Sequence, residues 1–239
     1  MDAIILGDGR LGRAIDDALQ ARGDRSRVIG RPVAGRHDPT MLTGADVVFD
    51  GSTADAVAAN VEAALLAGCR RFVIATTGWQ ADTARVAAGL ERAGAAAVVA
   101  PNLALGSAVF LRLVDEAARL FASLPDFDPY ILEWHRRAKA DRPSGTAREI
   151  VRRIARRSTA GEPDVAVIRA GAAPGMHLVG FDAPSETIEL RLTARDRSAY
   201  ASGALAAAAW LSRKPRPAGC HSFDAVVDEL TRPALAATA

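Results

Sequence analysis

Lysine is nearly missing from this chain of 239 residues, in which 30 side chains are lysine or arginine. Only Lys139 and Lys214 are lysines, so a lysine within a motif is unusually informative here. The 28 acidic residues leave a formal net charge of +2. A charge so close to balance does not indicate a nucleic-acid partner, and we expect none.

Cysteine is also scarce, since the chain has two, Cys69 and Cys220. Two thiols cannot form the disulfide framework of a small secreted protein, and they are typical of a reducing compartment. The first residues do not have the basic segment and long apolar core of a signal peptide. No uncharged apolar run reaches the ~18 residues of a membrane-spanning helix, so we expect a cytoplasmic protein without a membrane partner.

The first hundred residues alternate short apolar runs with amphipathic segments. Strands are predicted at residues 3–6, 27–29, 46–49, 71–75 and 96–100, and helices at residues 10–22, 54–67 and 80–93. This alternation is typical of a parallel sheet with helices on both faces. We therefore predict the α/β class, with a Rossmann-type dinucleotide-binding domain over residues 1–103.

The pattern changes after Pro101. The predicted elements are a helix at 105–122, a strand at 128–134, a basic helix at 146–157, strands at 164–170, 176–182 and 186–194, and helices at 198–211 and 222–231. Consecutive strands separated only by turns indicate a mixed or antiparallel sheet. We predict a second, α+β domain over residues 104–212, and we expect residues 213–239 to pack back on the first domain.

Residues 7–12 fit the pattern G-x-G-x-x-G between the first predicted strand and helix. Gly7 permits a tight turn, Gly9 lets a pyrophosphate approach the backbone, and Gly12 lets helix and strand pack closely. The helix N-terminus offers unpaired N–H groups to phosphate. The motif predicts a nicotinamide dinucleotide, and the alternative is a glycine-rich turn without a ligand. The candidate pyrophosphate-binding residues are Gly7, Gly9, Arg10, Leu11 and Gly12.

The end of the second predicted strand bears on the choice between NADPH and NADH. An acidic residue there would accept a hydrogen bond from the ribose 2′-OH of NAD, but Gly30 and Arg31 follow Ile29 instead. An arginine pairs well with a 2′-phosphate through its planar guanidinium group. We favour NADPH without excluding NADH, and a surface arginine is the alternative. Ser52, Thr76 and Thr77 also follow predicted parallel strands, where ligands of such sheets bind.

The most distinctive segment, residues 133–147, is E-W-H-R-R-A-K-A-D-R-P-S-G-T-A. His135 can donate a proton near neutral pH, Lys139 is a second candidate acid, and Asp141 can orient either one. The next helix offers hydroxyl and backbone N–H groups to a carboxylate of a dianionic substrate. The residues that open this helix are Ser144, Gly145 and Thr146.

Each part of this segment also has an ordinary structural explanation. A histidine near a strand end is commonly structural, and Ser-Gly-Thr before a helix is commonly a cap. The arginines that follow form a solvated face or steer an anionic substrate. One of the two lysines lies in the same segment, which favours the chemical explanation. We predict no metal site.

The same segment resembles the signature of the dihydrodipicolinate reductase family, in the pattern E-x-H-x-x-x-K-x-D-x-P-S-G-T. Other resemblances run in family order and cover most of the chain. They are A-P-N-L-x-x-G at 100–106, T-T-G at 76–78, D-G-S at 50–52, R-x-G at 169–171 and P-G-x-H at 174–177.

This resemblance implies hydride transfer from NADH or NADPH to a cyclic dicarboxylic imine on the lysine and diaminopimelate route. It implies that His135 and Lys139 supply the proton and that Gly145 and Thr146 hold a carboxylate. It also implies that the second domain binds the substrate and forms a homotetramer. It adds the cofactor-binding residues Ala75, Ala100, Pro101, Asn102 and Leu103.

Three positions depart from the family pattern. Arg136 replaces a usual second histidine; it can still bind a carboxylate, and we expect its charge to lower the pKa of His135. Ala75 replaces a glycine and is expected to crowd the cofactor by one methyl group, and Gly51 replaces a phenylalanine. The chain is also shorter than many members. We therefore expect the reaction to be kept, and the three departures leave its kinetics open.

Two other functions remain open from the sequence. One is a related reductase or dehydrogenase for another imine or amino acid, such as an aspartate dehydrogenase-like enzyme. The other is a non-catalytic dinucleotide-sensing module. Residues 135–146 favour the first reductase over its relatives, and the presence of both His135 and Lys139 argues against a sensor.

Overall fold

The computed structural model describes residues 1–32, 37–157 and 161–232. In chain order the strands are β1 (Asp2–Leu6), β2 (Arg25–Ile29), β3 (Val47–Asp50), β4 (Arg71–Ile74), β5 (Ala96–Val99), β6 (Asp128–His135), β7 (Asp164–Arg169), β8 (Met176–Ala183), β9 (Glu186–Thr193) and β10 (Gly219–Ser222). The α-helices are α1 (Arg10–Gln20), α2 (Val57–Leu66), α3 (Thr83–Arg92), α4 (Leu105–Phe121), α5 (Gly145–Ala155), α6 (Ser198–Arg213) and α7 (Phe223–Thr231). Short 3-10 turns cover Pro39–Leu42 and Gln80–Asp82.

The first compact unit contains the residues up to 105 and those from 197 onward. Its sheet has six parallel strands in the order β10-β5-β4-β3-β1-β2. All four residues of β3 are buried, which is characteristic of a parallel strand covered on both faces. The carboxyl ends of β1, β3 and β4 therefore meet at one edge, where the predicted cofactor residues lie.

Helix α6 belongs to this first unit, whereas we expected it in a second domain that ends at residue 212. The reason is its packing: α6 contacts α1, β4 and β5. A Cβ atom on Gly203 would lie 1.6 Å from the Leu103 carbonyl oxygen, so the helix fits only with glycine there. Helix α7 is also in this unit, and residues 233–239 of the predicted C-terminal segment lie outside the described residues.

The second compact unit, residues 106–196, holds a four-stranded sheet in the order β7-β6-β8-β9. β6 pairs parallel with β7 and antiparallel with β8, and β8 pairs antiparallel with β9, so the sheet is mixed. Apolar residues of α4 and α5 pack on one face of this sheet, around Ile131, Val179 and Phe181. The predicted fold class is confirmed. No helix among the described residues has the length and apolar character needed to cross a membrane.

Candidate active site

A cleft of about 330 Å³ lies in the first unit, at the carboxyl ends of β1, β2 and β3. Four of the predicted cofactor residues line it: Gly7, Gly9, Arg31 and Ser52. The other lining residues were not predicted to bind the cofactor. They are Asp8, Gly30, Pro32, His37, Gly51, Thr53, Asp55, Ala56 and Asn60.

The three motif glycines have different surroundings. Gly7 has a φ of +112°, and a Cβ atom there would lie 2.6 Å from the Gly51 carbonyl oxygen. A Cβ on Gly12 would lie 2.0 Å from the Gly7 carbonyl oxygen. A Cβ on Gly9 would meet no heavy atom within 4 Å. Gly7 and Gly12 are therefore required by the turn itself, while Gly9 borders open space.

Helix α1 begins at Arg10 without a side-chain hydrogen bond that caps it. Its first N–H groups have no acceptor within the helix, and the positive end of its dipole faces the glycine turn. Open space at Gly9 and unpaired donors beside it suit a pyrophosphate. The residues of the first unit therefore fit a nicotinamide dinucleotide.

Asp50 connects the turns that surround this cleft. It is 2% exposed, and its Oδ1 atom accepts hydrogen bonds from the Ser52 hydroxyl and from the Thr76 hydroxyl, both at 2.7 Å. Its Oδ2 atom accepts from Asn60 Nδ2 at 2.9 Å. This carboxylate ties the end of β3 to the end of β4 and to α2. Thr76, predicted to bind the cofactor, has its hydroxyl bound to Asp50.

The remaining predicted cofactor residues do not line this cleft. Asn102 Oδ1 accepts from the Ala104 N–H at 2.8 Å and so shapes the turn after β5, and the Leu103 side chain is buried. Ala75 is outside the lining as well, so the expected crowding by its methyl group does not arise in this cleft. The predicted residues outside the lining are Arg10, Leu11, Gly12, Ala75, Thr76, Thr77, Ala100, Pro101, Asn102 and Leu103.

A second polar cluster lies in the other unit, and strand pairing assembles it. Glu133 and His135 are two residues apart on β6 and so share one face of the sheet. His177 of β8 is directly opposite Glu133, and Arg169 of β7 is directly opposite His135. The register thus collects four polar side chains on the same face as the core residue Ile131.

Glu133 is fully buried and its carboxylate is saturated with donors. Both carboxylate oxygens accept from the Ser144 N–H, at 3.0 and 3.1 Å, and Oε1 accepts from Arg169 Nη2 at 2.5 Å. Burial alone would raise the pKa of Glu133, but the hydrogen bonds from Ser144 and Arg169 outweigh it and hold that pKa below its usual value. Glu133 is therefore an anion near neutral pH.

The two histidines of the cluster face this carboxylate. His135 Nδ1 lies 3.3 Å from the Pro174 carbonyl oxygen, and its buried Nε2 has no hydrogen-bond partner and is 3.7 Å from Glu133 Oε2. His177 Nε2 lies 3.1 Å from the Ser144 hydroxyl and 3.4 Å from Glu133 Oε2. Burial lowers the pKa of both histidines, that of His177 to about 4, so both are neutral near pH 7.

The pKa of His135 is lowered, as expected, but Arg136 is not among the causes. Burial is the main cause; the Glu133 charge opposes it, and Lys139 and Arg169 add to it. Arg136 itself is exposed. Arg136 follows the last residue of β6.

Lys139 and the helix start complete the candidate site. Lys139 Nζ lies 2.7 Å from Asp141 Oδ1, and this contact lowers the pKa of Asp141. Ser144 caps α5 by accepting from the Ala147 N–H at 3.2 Å. The N–H groups of the first two helical residues remain without an acceptor inside the helix. These two residues are Gly145 and Thr146, so the cap and the predicted carboxylate site coexist.

Glu133, His135 and His177 place one possible metal-ligand atom each within 4.8 Å of one another. Both Glu133 oxygens are already engaged by N–H donors, one of them the cationic Arg169. A cation at this point would be repelled by the guanidinium group. The N–H donors and the Arg169 cation stabilise the buried Glu133 carboxylate, and these surroundings do not suit a metal ion.

Glu133, Arg169 and His177 were not predicted as site residues. The alternation Ile131, Glu133, His135 would have placed Glu133 on the core-facing side of its strand, where an unpaired carboxylate is not tolerated. A buried carboxylate requires a cationic or N–H partner, but this pattern does not show which residue provides it. The partners come from β7, β8 and α5, and only the strand register identifies them.

Two family models match the chain in sequence. The model for the N-terminus of dihydrodipicolinate reductase matches residues 1–103, and the model for its C-terminus matches residues 106–227. The chain belongs to the dihydrodipicolinate reductase family. It is an NAD(P)H-dependent oxidoreductase, and the predictions of family, enzyme class and cofactor are confirmed.

Known members of the dihydrodipicolinate reductase family resemble the chain in sequence and in fold. The 4-hydroxy-tetrahydrodipicolinate reductase of Methanoregula boonei is 38% identical over 71% of this chain and 71% of its own length. That of Wolinella succinogenes is 37% identical over 73% of this chain and 74% of its own length. The dipicolinate-bound dihydrodipicolinate reductase of Paenisporosarcina sp. TG-14 has the same fold, with a TM-score of 0.76, 19% identity, and coverage of 93% of this chain and 97% of its own.

Proposed function

We propose that the protein reduces the cyclic imine dicarboxylate 4-hydroxy-tetrahydrodipicolinate, or dihydrodipicolinate, to tetrahydrodipicolinate in lysine and diaminopimelate biosynthesis. NADPH or NADH supplies the hydride. The observation that carries the proposal is the combination of His135, Lys139 and the open helix start at Gly145 and Thr146 in a chain of this family. This combination provides an acid, a cation and a carboxylate site on one unit.

The second unit binds the dicarboxylate and supplies the proton. The N–H groups of Gly145 and Thr146 and the Thr146 hydroxyl bind one carboxylate, and Arg136 is available to the other. The 4-hydroxy substrate loses its hydroxyl group as water, which gives the conjugated dihydro ring. Hydride addition to that ring leaves negative charge that a proton must neutralise. His135 delivers that proton from Nε2, while the Lys139 cation stabilises the charge on the nitrogen side.

His135 is neutral in the ligand-free protein because burial lowers its pKa. A bound dianion raises the pKa of a nearby imidazole, so substrate binding itself favours the protonated acid. The Nε2 atom is covered in this conformation. The ring or the segment at Pro174 therefore has to move before Nε2 reaches the substrate.

The first unit holds the reductant. The N-terminus of α1 binds the pyrophosphate beside Gly9, and Arg31 meets the 2′-phosphate of NADPH in the same cleft. Asp50 keeps the surrounding turns in place through Ser52, Thr76 and Asn60. Asp8 and Asp55 also line the cleft, and their carboxylates are available to ribose hydroxyl groups of either cofactor.

An assay with the product of the preceding synthase tests this function. The imine is generated in the cuvette, and oxidation of NADH and of NADPH is followed in parallel. We expect oxidation that depends on the imine and is lost in the double variant His135→Gln with Lys139→Met. Oxidation only with another imine or amino acid would support a related dehydrogenase, and none with any of them would support the sensor.

We propose a homotetramer that forms through the open face of the four-stranded sheet. Trp134 and Ile168 are directly opposite each other on that face and are 39% and 41% exposed. Large apolar residues exposed side by side favour burial against a second copy. Light scattering should show a tetramer for the wild type and smaller species for Trp134→Glu. Leu230→Glu, at an equally exposed apolar residue of α7, is the control; a tetramer in both variants would contradict this interface.

We also propose a cytoplasmic location. Cys69 and Cys220 are both free thiols, as is usual in reducing surroundings. Fractionation of cells that contain a tagged copy tests this location. Recovery with a membrane or exported fraction would contradict it.

A further inference from the structure

Glu133 differs from the other acidic side chains of the second unit in being completely buried at a reactive cluster. A buried carboxylate costs free energy unless donors satisfy it, and here Ser144 and Arg169 do so. The same carboxylate lies within 3.7 Å of the Nε2 atoms of His135 and His177. It therefore contacts or faces every other member of the cluster.

We propose that Glu133 is a positioning residue for the reaction. Its carboxylate holds the substrate-binding turn at Ser144, and its negative charge stabilises the protonated form of His135. This inference rests on the proposed function, to which it adds a residue that touches neither substrate nor cofactor.

The first part of the proposal concerns the turn. Glu133 is on β6, eleven residues before Ser144, and accepts the Ser144 N–H with both oxygens. Ser144 is the residue before the first turn of α5, so this contact sets the direction of the unpaired N–H groups that follow it. Arg169 donates from one nitrogen to Glu133 and to the Asp141 carbonyl oxygen, the latter at 2.6 Å. The loop that carries Lys139 is thereby attached to the same carboxylate.

The second part concerns the charges around His135. Glu133 on its own strand, Arg169 on β7, His177 on β8 and Lys139 in the loop all face it. Arg169 and Lys139 are cations, and His177 is neutral near pH 7 because its pKa is about 4. Glu133 alone among these four groups carries the charge that favours an imidazolium ion.

A purely structural role for Glu133 would leave the ionisation of His135 unchanged once the protein is folded. A positioning role changes it in a defined direction. Replacing the carboxylate removes the favourable charge and leaves the cations, so the pKa of His135 must fall. The ionisation of His135 therefore separates the two roles.

The experiment is a proton NMR titration of the histidine rings. The chain has four histidines, so each ring resonance can be assigned with single His→Asn variants. We expect Glu133→Gln to lower the pKa of His135 by about one unit or more. Glu149→Gln is the matched control, because Glu149 pairs with Arg152 and Arg153 on α5, and it should leave His135 unchanged.

Glu133→Gln leaves the buried Arg169 without its partner and can prevent folding. The double variant Glu133→Gln with Arg169→Met removes both charges together and serves in its place. Glu133 affects His135 more than Arg169 does, so the pKa should still fall. An unchanged pKa of His135 in the folded variant would overturn the proposal.

The pH profile of imine reduction separates this inference from the proposed function. If His135 is the acid, the loss of turnover on raising the pH should begin at lower pH in the Glu133 variant than in the wild type. A fall in the pKa of His135 together with full activity of His135→Asn would support the role of Glu133 in charging His135 and contradict His135 as the acid. A pKa that does not fall contradicts the role of Glu133, whatever the activity is.

Discussion

His177 lies directly opposite Glu133 in the β6–β8 pair, with its Nε2 atom 3.4 Å from Glu133 Oε2. Despite this carboxylate, burial and the neighbouring His135 lower the pKa of His177 to about 4. The ring is thus a neutral member of a buried hydrogen-bonded cluster, and it has to take up a proton when the protein unfolds near pH 5.

The first prediction concerns how the stability of the fold depends on pH. Below pH 6.5 the unfolded chain binds a proton at residue 177 that the folded chain does not bind until about pH 4. The free energy of unfolding should therefore decrease as the pH falls through this window, by up to about 1.4 kcal/mol per pH unit. Denaturant unfolding of His177→Asn should show a shallower decrease than the wild type. Equal slopes in the two proteins would contradict the low pKa of His177.

The second prediction separates the motif glycines. Gly9→Val should weaken dinucleotide binding with little change in stability, because its side chain enters open space beside the helix start. Gly12→Ala should instead destabilise the fold, because its Cβ atom would meet the Gly7 carbonyl oxygen. Titration calorimetry and thermal unfolding measure the two effects. Unchanged cofactor affinity in Gly9→Val would place the pyrophosphate elsewhere.

The third prediction concerns cofactor preference. Arg31→Ala should raise the KM for NADPH and leave that for NADH nearly unchanged, because only NADPH has a 2′-phosphate. Arg92→Ala, at an exposed residue on α3 outside the lining of the cleft, is a comparison for the loss of positive charge alone. Equal effects of Arg31→Ala on both cofactors would mean that the arginine merely lies on the surface.

The fourth prediction concerns the acid pair. His135→Gln and Lys139→Met should each lower kcat by about 10²–10⁴-fold while cofactor affinity stays intact. Single-turnover kinetics with the imine measure the hydride-transfer step directly. Wild-type rates in both variants would make these residues structural.

The fifth prediction concerns the carboxylate site. Thr146→Val keeps the shape of the side chain and removes its hydroxyl, which should cost about 1.5–3 kcal/mol for a hydrogen bond to a charged group. This corresponds to roughly a 10- to 100-fold loss in kcat/KM. Dipicolinate, a planar dicarboxylate, is a suitable binding probe, and its affinity should fall in parallel. Thr231→Val, on α7 of the first unit, is the control.

The fold was largely predictable because both sheets leave strong local signals. Buried apolar runs such as Val47–Asp50 and amphipathic helices such as Arg10–Gln20 produce their patterns in consecutive residues. β10 was not predicted because Gly219–Ser222 has no apolar alternation. These residues form a strand through their pairing with β5, which is distant in sequence. The position of α6 was wrong because helical periodicity shows which side is buried but not which sheet buries it.

The candidate site was predictable only where its residues are adjacent in sequence. Lys139, Asp141 and Ser144 form one segment, and their chemistry is visible within it. Glu133 and His177 are 44 residues apart and meet through strand register, which no local pattern specifies. The cause of the lowered pKa of His135 was misjudged for the same reason, since burial by distant elements outweighs the charge of a sequence neighbour.

The first unit is discontinuous in sequence, since its parallel sheet takes β1 to β5 from the first hundred residues and β10 from residues 219–222. During synthesis, residues 106–196 therefore emerge from the ribosome before α6 and the edge strand β10 do. Until then β5 is an unprotected sheet edge, and the site that α6 occupies on α1 is bare. The nascent chain thus carries an incomplete nucleotide-binding unit until β10 has been synthesised, and during that interval the β5 edge is open to pairing with another strand.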